Sequence, residues 1–155
     1  MQPEIRWLPE IQLIGISQSM TLETYRVDDL WRTFMPRRYE IPNPVSEVLF
    51  HVQVNPDAYN FAPNMPFEKW AALEVATVDF IPVGMQVLTI PAGQYAVFTY
   101  SGDGSDAAAF FRNIYTQWLP KFGLVWENRI QFELLGEKYK KNAADSEEQI
   151  FIPVR

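Results

Sequence analysis

The chain has 155 residues, a length at which one domain with its own hydrophobic core is expected. Its formal charge of -6 repels polyphosphates and anionic lipids, so direct binding to nucleic acid or to a membrane surface is disfavoured. It has no cysteine and one histidine, which excludes thiolate nucleophiles, disulfides and zinc sites built on Cys and His pairs, and no cofactor or metal is predicted.

Aromatic side chains make up 15% of the chain, more than core packing usually requires. Such residues often line ligand cavities, so the composition is compatible with a small-molecule site and equally with an aromatic-rich core. No stretch has the pattern of a transmembrane helix or a signal peptide, and the cytoplasm is therefore the predicted location.

The first half of the chain is predicted to contain four strands and one helix. The strand-like segments are EIRWLPE, IQLIGIS, EVLFHVQV and KWAALEVATVDF. Between the second and third segments lies an amphipathic helix, which Pro36 is expected to end. Its apolar residues have the i, i+3, i+4, i+7 spacing of one helix face and are Val27, Leu30, Trp31 and Phe34.

The second half repeats this order of elements. Its strand-like segments are MQVLTIPAG, YAVFTYS, RIQFELL and EQIFIPV. Its helix is expected to end at Pro120, and the apolar residues of that helix are Phe111, Ile114, Tyr115 and Trp118. The offset between the halves is 84 residues, as from Val27 to Phe111, which indicates an internal duplication.

These elements predict a single α+β domain over residues 1–155, made of two pseudo-symmetric β-α-β-β repeats, about 1–82 and about 83–155. Antiparallel strands would form the sheets, and the two main helices would cover one face. A ligand cleft is expected between the repeats, on the face that the helices leave free.

Glu133 interrupts the otherwise apolar strand RIQFELL. With period 2, Ile130, Phe132 and Leu134 point to one face, and Glu133 points to the other. A carboxylate inside a sheet is costly to desolvate unless a charge or a hydrogen bond meets it. Two interpretations stay open at this point: either solvent or a cross-strand ion pair meets the carboxylate, or the carboxylate faces a ligand.

Two further strands carry candidate ligand contacts. In FEKWAALEV, Trp70 shares a strand face with Ala72, and small residues beside an indole leave a gap that could hold a flat ligand. The alternative is that a helix covers the alanines. Tyr95 and Tyr100 have opposite strand parities, so at most one of them can face the cleft.

Tyr115 and Trp118 lie on the apolar stripe of the second helix. Aromatic residues in such a stripe more often belong to a core than to a site. A buried tyrosine hydroxyl or indole nitrogen nevertheless seeks a hydrogen-bond partner, which keeps both residues as candidates.

Several segments together resemble a known family. RIQFELLGEKYKKNAADSEEQIFIPV is similar to the C-terminal end of GyrI-like small-molecule-binding domains, the effector-binding domains of AraC/Rob and BmrR type regulators. IPAGQYAVFTYSGD with IYTQWLP resembles the central segment of the family, and DLWRTFMPRRYEI with FEKWAALEV resembles its first half. The resemblance covers nearly the whole chain, and it implies the paired β-α-β-β fold.

The resemblance also implies a role for Glu133. In the family, the glutamate of the FE pair lies in the cleft between the repeats, is ringed by aromatic residues and meets lipophilic cations. Glu133 is the matching position in this chain. No helix-turn-helix precedes the domain, so the expectation is a stand-alone binder of small molecules and not a transcription factor.

Three functions are compatible with these observations. In the first, a planar lipophilic cation is bound by Glu133, Trp70, Tyr95, Tyr115 and Trp118. In the second, which stand-alone relatives suggest, Glu133 has a raised pKa and acts as the catalytic base or nucleophile of a hydrolase for strained, cyclopropane-type electrophiles. In the third, surface acids bind a protein partner such as a topoisomerase, and the acids concerned are Asp145, Glu147 and Glu148.

Overall fold

An eight-stranded antiparallel sheet organises the chain in the computed structural model, which describes residues 1–155. The first half supplies four strands, one α-helix and a 3₁₀ helix. Their bounds are β1 Glu4–Leu8, β2 Ile11–Met20, α1 Val27–Phe34, the 3₁₀ helix Met35–Glu40, β3 Pro44–Val54 and β4 Phe67–Val75.

The second half has the same order of elements with a longer helical segment. Its bounds are β5 Gln86–Ile90, β6 Gly93–Ser101, α2 Ala107–Asn113, a π-helix Ile114–Trp118, α3 Leu119–Lys121, β7 Gln131–Leu135 and β8 Glu147–Pro153. The α+β class and the antiparallel pairing predicted from the sequence are confirmed. No helix in the chain is both long enough and apolar enough to cross a membrane.

The two halves exchange their first strands. The order across the sheet is β1-β6-β8-β7-β3-β4-β2-β5, so β1 lies at the edge of the second half and β5 at the edge of the first. The halves meet at the central pair of β3 and β7, where Phe50 lies opposite Leu134 and His51 lies opposite Glu133. The centre of the sheet is therefore also the junction of the halves.

The helices pack on one face of this sheet, as predicted. In the first half, Leu30 and Phe34 of α1 pack on Ala71 and Leu73 of β4. In the second half, the helical segment packs through Ile114 on a cluster from β6 and β8 that includes Phe98, Ala96, Ile150 and Ile152. The two helix-covered clusters lie on either side of the central strands.

The opposite face differs from the prediction, because it holds a filled core and no cleft. Residues from strands at both ends of the sheet pack together there, which requires the sheet to curl around this face. The ten buried members are Leu13, Phe50, Val52, Trp70, Ala72, Ile90, Tyr95, Val97, Phe132 and Phe151. Close packing of these apolar side chains leaves no room for a ligand between them.

Both helical segments also continue past their predicted ends. Pro36 lies in the 3₁₀ helix that follows α1, and Pro120 lies inside α3. Proline is tolerated in the first turn of a helix, where its missing N–H has no partner to lose. The π-helix at Ile114–Trp118 widens the turn that carries Tyr115.

Gly15 offers a test of how tightly the first half is packed. A Cβ atom at this position would lie 2.2 Å from the carbonyl oxygen of Ala71 and 2.6 Å from the Cβ of Ala72. We expect Gly15→Ala to lower the free energy of unfolding by about 1–3 kcal/mol, because the strands must move apart. Urea denaturation measures this loss. Gly136→Ala is the matched control, since its Cβ would meet no atom within 4 Å, and an equal loss in both variants would contradict the explanation.

Candidate functional site

Glu133 lies in the middle of β7 on the face that carries the helices. Its neighbours across the sheet are His51 on β3 and Ile150 on β8. The side chain is 16% exposed, and its Oε2 atom lies 3.4 Å from Nδ1 of His51. No lysine or arginine lies within 4.0 Å of the carboxylate. The sequence alternative of a direct ion pair with a basic residue is therefore not what the structure shows.

Lys69 is the basic residue of this region, and it is nearly buried. Only 7% of the residue is exposed. Its Nζ atom lies 5.6 Å from the ring centre of Tyr25 and 5.9 Å from that of Phe67. Lys69 pairs in register with Gln53 of β3, which in turn pairs with Gln131 of β7, so its side chain leaves the same face of the sheet as Glu133.

A small cavity connects these polar side chains. Its volume is about 10 Å³, room for roughly one water molecule. The residues around it are His51, Gln53, Lys69, Phe111, Gln131, Phe132, Glu133, Ile150, Phe151 and Ile152. A ligand larger than water therefore needs side chains to move aside.

Glu133 and His51 differ in their charge at pH 7. Burial by itself raises the pKa of Glu133, but the contact with His51 and the positive charge of Lys69 outweigh it, so that the pKa of Glu133 is lowered. Burial and the charge of Lys69 lower the pKa of His51, which leaves the imidazole neutral at pH 7. The site thus holds an ionised carboxylate beside a neutral ring.

Glu148 is the second carboxyl group of the site. It lies on β8 two residues before Ile150, the partner of Glu133, and so on the same face. Burial, followed by the negative charge of Glu133 and hydrogen bonding with it, raises the pKa of Glu148 to about 8. The hydrolase hypothesis from the sequence required a raised pKa at Glu133. In the structure the pKa of Glu133 is lowered, and the raised pKa is that of Glu148.

Of the aromatic residues predicted for the site, Tyr115 is the one that the structure places near Glu133. Its hydroxyl donates a hydrogen bond to Oε1 of Gln131 over 3.1 Å, and Gln131 lies two residues before Glu133 on the same face. The Tyr115 ring centre is 5.2 Å from that of Phe61 and 6.2 Å from that of Trp126. These three rings form an aromatic group beside the polar cavity.

Trp118 lies elsewhere on the same helical segment. Its ring stacks on Phe98 at 5.8 Å and meets the edge of Phe110 at 4.9 Å. Both partners belong to the core of the second half or pack against it. Trp118 does not line the cavity beside Glu133.

Trp70 and Tyr95 lie on the other side of the sheet from Glu133. Both are members of the filled core, and they are 4% and 1% exposed. The Tyr95 hydroxyl donates a hydrogen bond to the carbonyl oxygen of Ile130 over 3.0 Å. The gap expected beside Ala72 is filled by the curled sheet, so the structure does not bring these two aromatic residues together with Glu133.

Most of the polar partners of Glu133 were not predicted from the sequence. These residues are His51, Gln53, Lys69, Gln131 and Glu148. A signal was present, because each is a polar residue at an alternate position of a strand whose other positions are mostly apolar. The pairing of β4, β3, β7 and β8 brings these positions to one face, and this pairing was not known from the sequence.

Comparison with known proteins gives a family match over the whole chain. Residues 1–155 match a model described as the GyrI-like small molecule binding domain. The transcriptional regulator BrlR of Pseudomonas aeruginosa is 27% identical over 148 residues, which are 94% of this chain and 53% of the regulator. The chain therefore spans about half the length of this curated relative.

Solved structures share the fold. The structure of SAV2435 bound to tetraphenylphosphonium aligns with a TM-score of 0.68 and 14% identity, over 100% of this chain and 94% of that chain. A hydrolase from Listeria innocua aligns with a TM-score of 0.61 and 11% identity, over 99% of this chain and 92% of that chain. At these identities the likeness establishes the common fold.

The carboxyl pair predicts a particular dependence of stability on pH. Because folding raises the pKa of Glu148 from an ordinary value of 4.5 to about 8, its contribution to stability is complete below pH 4.5 and is lost as the pH rises to about 8. We expect the melting temperature of the wild type to fall relative to that of Glu148→Gln between about pH 5 and pH 9. Thermal melts across this range check it, with Glu147→Gln, on the opposite face of β8, as the control. Parallel curves for wild type and Glu148→Gln would show that Glu148 does not hold the extra proton.

Proposed function

The chain belongs to the family of GyrI-like small molecule binding domains, and on that premise we propose that it binds lipophilic aromatic compounds that carry a positive charge, with Glu133 as the counter-ion. The observation that carries this proposal is an ionised, mostly buried carboxylate that no lysine or arginine contacts. Such a group is stabilised when a cation replaces the water it has lost.

Aromatic side chains near Glu133 supply the apolar part of the proposed contact. Phe111 lines the cavity, and the group of Phe61, Tyr115 and Trp126 lies beside it. A cation stacked on a desolvated ring gains up to about 2 kcal/mol. Two or three such contacts together with Glu133 are consistent with a micromolar dissociation constant, which needs about 8 kcal/mol.

Binding of this kind requires the site to open, because the cavity holds about 10 Å³. Phe61 is the aromatic side chain best placed to move. It is 41% exposed, and its backbone has a φ of 64°, a region that non-glycine residues seldom occupy. We propose that the Phe61 side chain swings away to admit the ligand, and that the free energy of opening reduces the net affinity.

The relatives support a small-molecule role. SAV2435 was solved with tetraphenylphosphonium, a lipophilic aromatic cation, and BrlR is a transcriptional regulator. The cytoplasmic location and the internal duplication remain predictions from the sequence.

Hydrolysis of a strained electrophile is the second candidate function. It is favoured by the contact of Glu133 with His51, whose Nε2 atom is buried and has no hydrogen-bond partner, and by the shared fold of the Listeria hydrolase. With its pKa lowered, Glu133 would serve as a nucleophile more readily than as a general base.

The predicted acidic surface for a protein partner has less support. Lys140 Nζ lies 2.6 Å from Oδ2 of Asp145, and Lys138 Nζ lies 3.9 Å from Oε2 of Glu147. The third acid, Glu148, faces the Glu133 site. These three acids therefore do not form a free acidic patch.

A charge-matched pair of ligands tests the proposed function. We expect tetraphenylphosphonium to raise the melting temperature of the wild type, and tetraphenylborate, of the same shape and opposite charge, to leave it unchanged. Glu133→Gln should weaken phosphonium binding at least tenfold, about 1.4 kcal/mol, as measured by isothermal titration calorimetry. Glu68→Gln, an exposed position on β4, is the control.

The two candidate functions separate in a parallel assay. Each protein is incubated with a cyclopropane electrophile, and the products are followed by mass spectrometry. Turnover by the wild type that is lost in Glu133→Gln would support the hydrolase. Equal stabilisation by the phosphonium and the borate would contradict a role for Glu133 as counter-ion.

A further inference from the structure

Lys69 is a buried basic residue that no carboxylate contacts directly. Only 7% of the residue is exposed to solvent. Its ammonium group has no carboxylate within 4.0 Å and donates no hydrogen bond to a protein atom, and it lies 5.6 Å and 5.9 Å from the ring centres of Tyr25 and Phe67. Burial lowers the pKa of Lys69, and the charge of Glu133 opposes this shift without contacting the ammonium group. An ammonium group with so little water around it is stabilised further when an acidic group contacts it.

Lys69 and Glu133 share one cavity but lie at different positions along it. Both line the cavity, together with Gln53 and Gln131. Lys69 is in register with Gln131 through the intervening strand β3, and Glu133 lies two residues further along β7. With strands about 4.8 Å apart and a rise of about 3.4 Å per residue, the two Cα atoms are roughly 12 Å apart. The two charged side chains therefore enter the cavity from separate positions, and they form no ion pair within 4.0 Å.

The other titratable groups of the site leave these two charges in balance. Glu148 carries its proton at pH 7, because burial and the charge of Glu133 raise its pKa to about 8, and burial keeps the pKa of His51 below its ordinary value. Burial lowers the pKa of Lys69, and the negative charge of Glu133 opposes this shift. With Lys69 protonated, the site holds one negative and one positive charge. A ligand with a positive charge alone satisfies Glu133 and is repelled by Lys69.

We propose that the preferred ligand of this site is dipolar: an aromatic compound with a positive group that meets Glu133 and a carboxylate that meets Lys69. This inference rests on the proposed function and names the ligand class of the same site. Lys69 then determines specificity by pairing with the acidic end of the ligand, and Gln53 and Gln131 lie between the two charged ends as further hydrogen-bonding groups.

A pair of xanthene dyes that differ in one group tests this inference. The first is a cationic xanthene with a free carboxyl group, and the second is its methyl ester. Dissociation constants are measured by fluorescence anisotropy for the wild type, Lys69→Met, Lys69→Arg and Glu133→Gln. Lys138→Met is the control, because its side chain is 78% exposed.

We expect the wild type to bind the free acid at least tenfold more tightly than the ester. Lys69→Met should lose this preference and bind the ester as tightly as the wild type or more tightly, whereas Lys69→Arg and Lys138→Met should keep the preference. The melting temperature of Lys69→Met checks that this variant is folded under the conditions of the binding assay.

The outcomes separate this inference from the proposed function. Equal affinity of the wild type for both dyes, or an unchanged preference in Lys69→Met, overturns the inference. If the inference is overturned in this way but Glu133→Gln no longer binds the ester, the proposed function still holds and only the dipolar ligand class is wrong. If neither dye binds to the wild type, both proposals fail. Because the wild-type preference is measured without any substitution, the test does not depend on the folding of a variant.

Discussion

The site depends on one constraint: the Glu133 carboxylate is ionised and mostly buried. The Glu133 carboxylate stays ionised although little water reaches it, and it does so through a neighbouring imidazole and a more distant ammonium group. Neither neighbour forms a close ion pair with it. The carboxylate can therefore still attract an incoming positive charge, whereas a carboxylate in a close ion pair cannot.

The two faces of the sheet differ in how tightly they are packed around Glu133. The curled face of the sheet buries ten apolar residues behind the central strands, so β3 and β7 have little freedom to shift. The helix-bearing face is held by two separate clusters with the polar positions between them. Room for a ligand is thus expected to come from side chains above the sheet, such as Phe61, and not from the sheet itself.

The sequence allowed much of the fold to be predicted, and part of the site. Apolar periodicity identified the strands and both helical segments, and the alternation around Glu133 set it apart from the core. Trp70 and Tyr95 were grouped with it for their aromatic character, yet they belong to the opposite face. Strand parity states which residues of one strand share a face, but it does not state which faces of two strands coincide.

What the sequence alone determined is local: the type and order of the elements, the family resemblance, and the presence of an acid where an apolar residue would be ordinary. These follow from spacings of a few residues, which depend on backbone geometry. The tertiary structure decided which side chains surround that acid. Lys69, His51 and Glu148 come from three other strands, and only the registers of β4 with β3, β3 with β7 and β7 with β8 bring them to one cavity. Desolvation and charge coupling act through space, so the chemistry of the site exists only after the strands have paired.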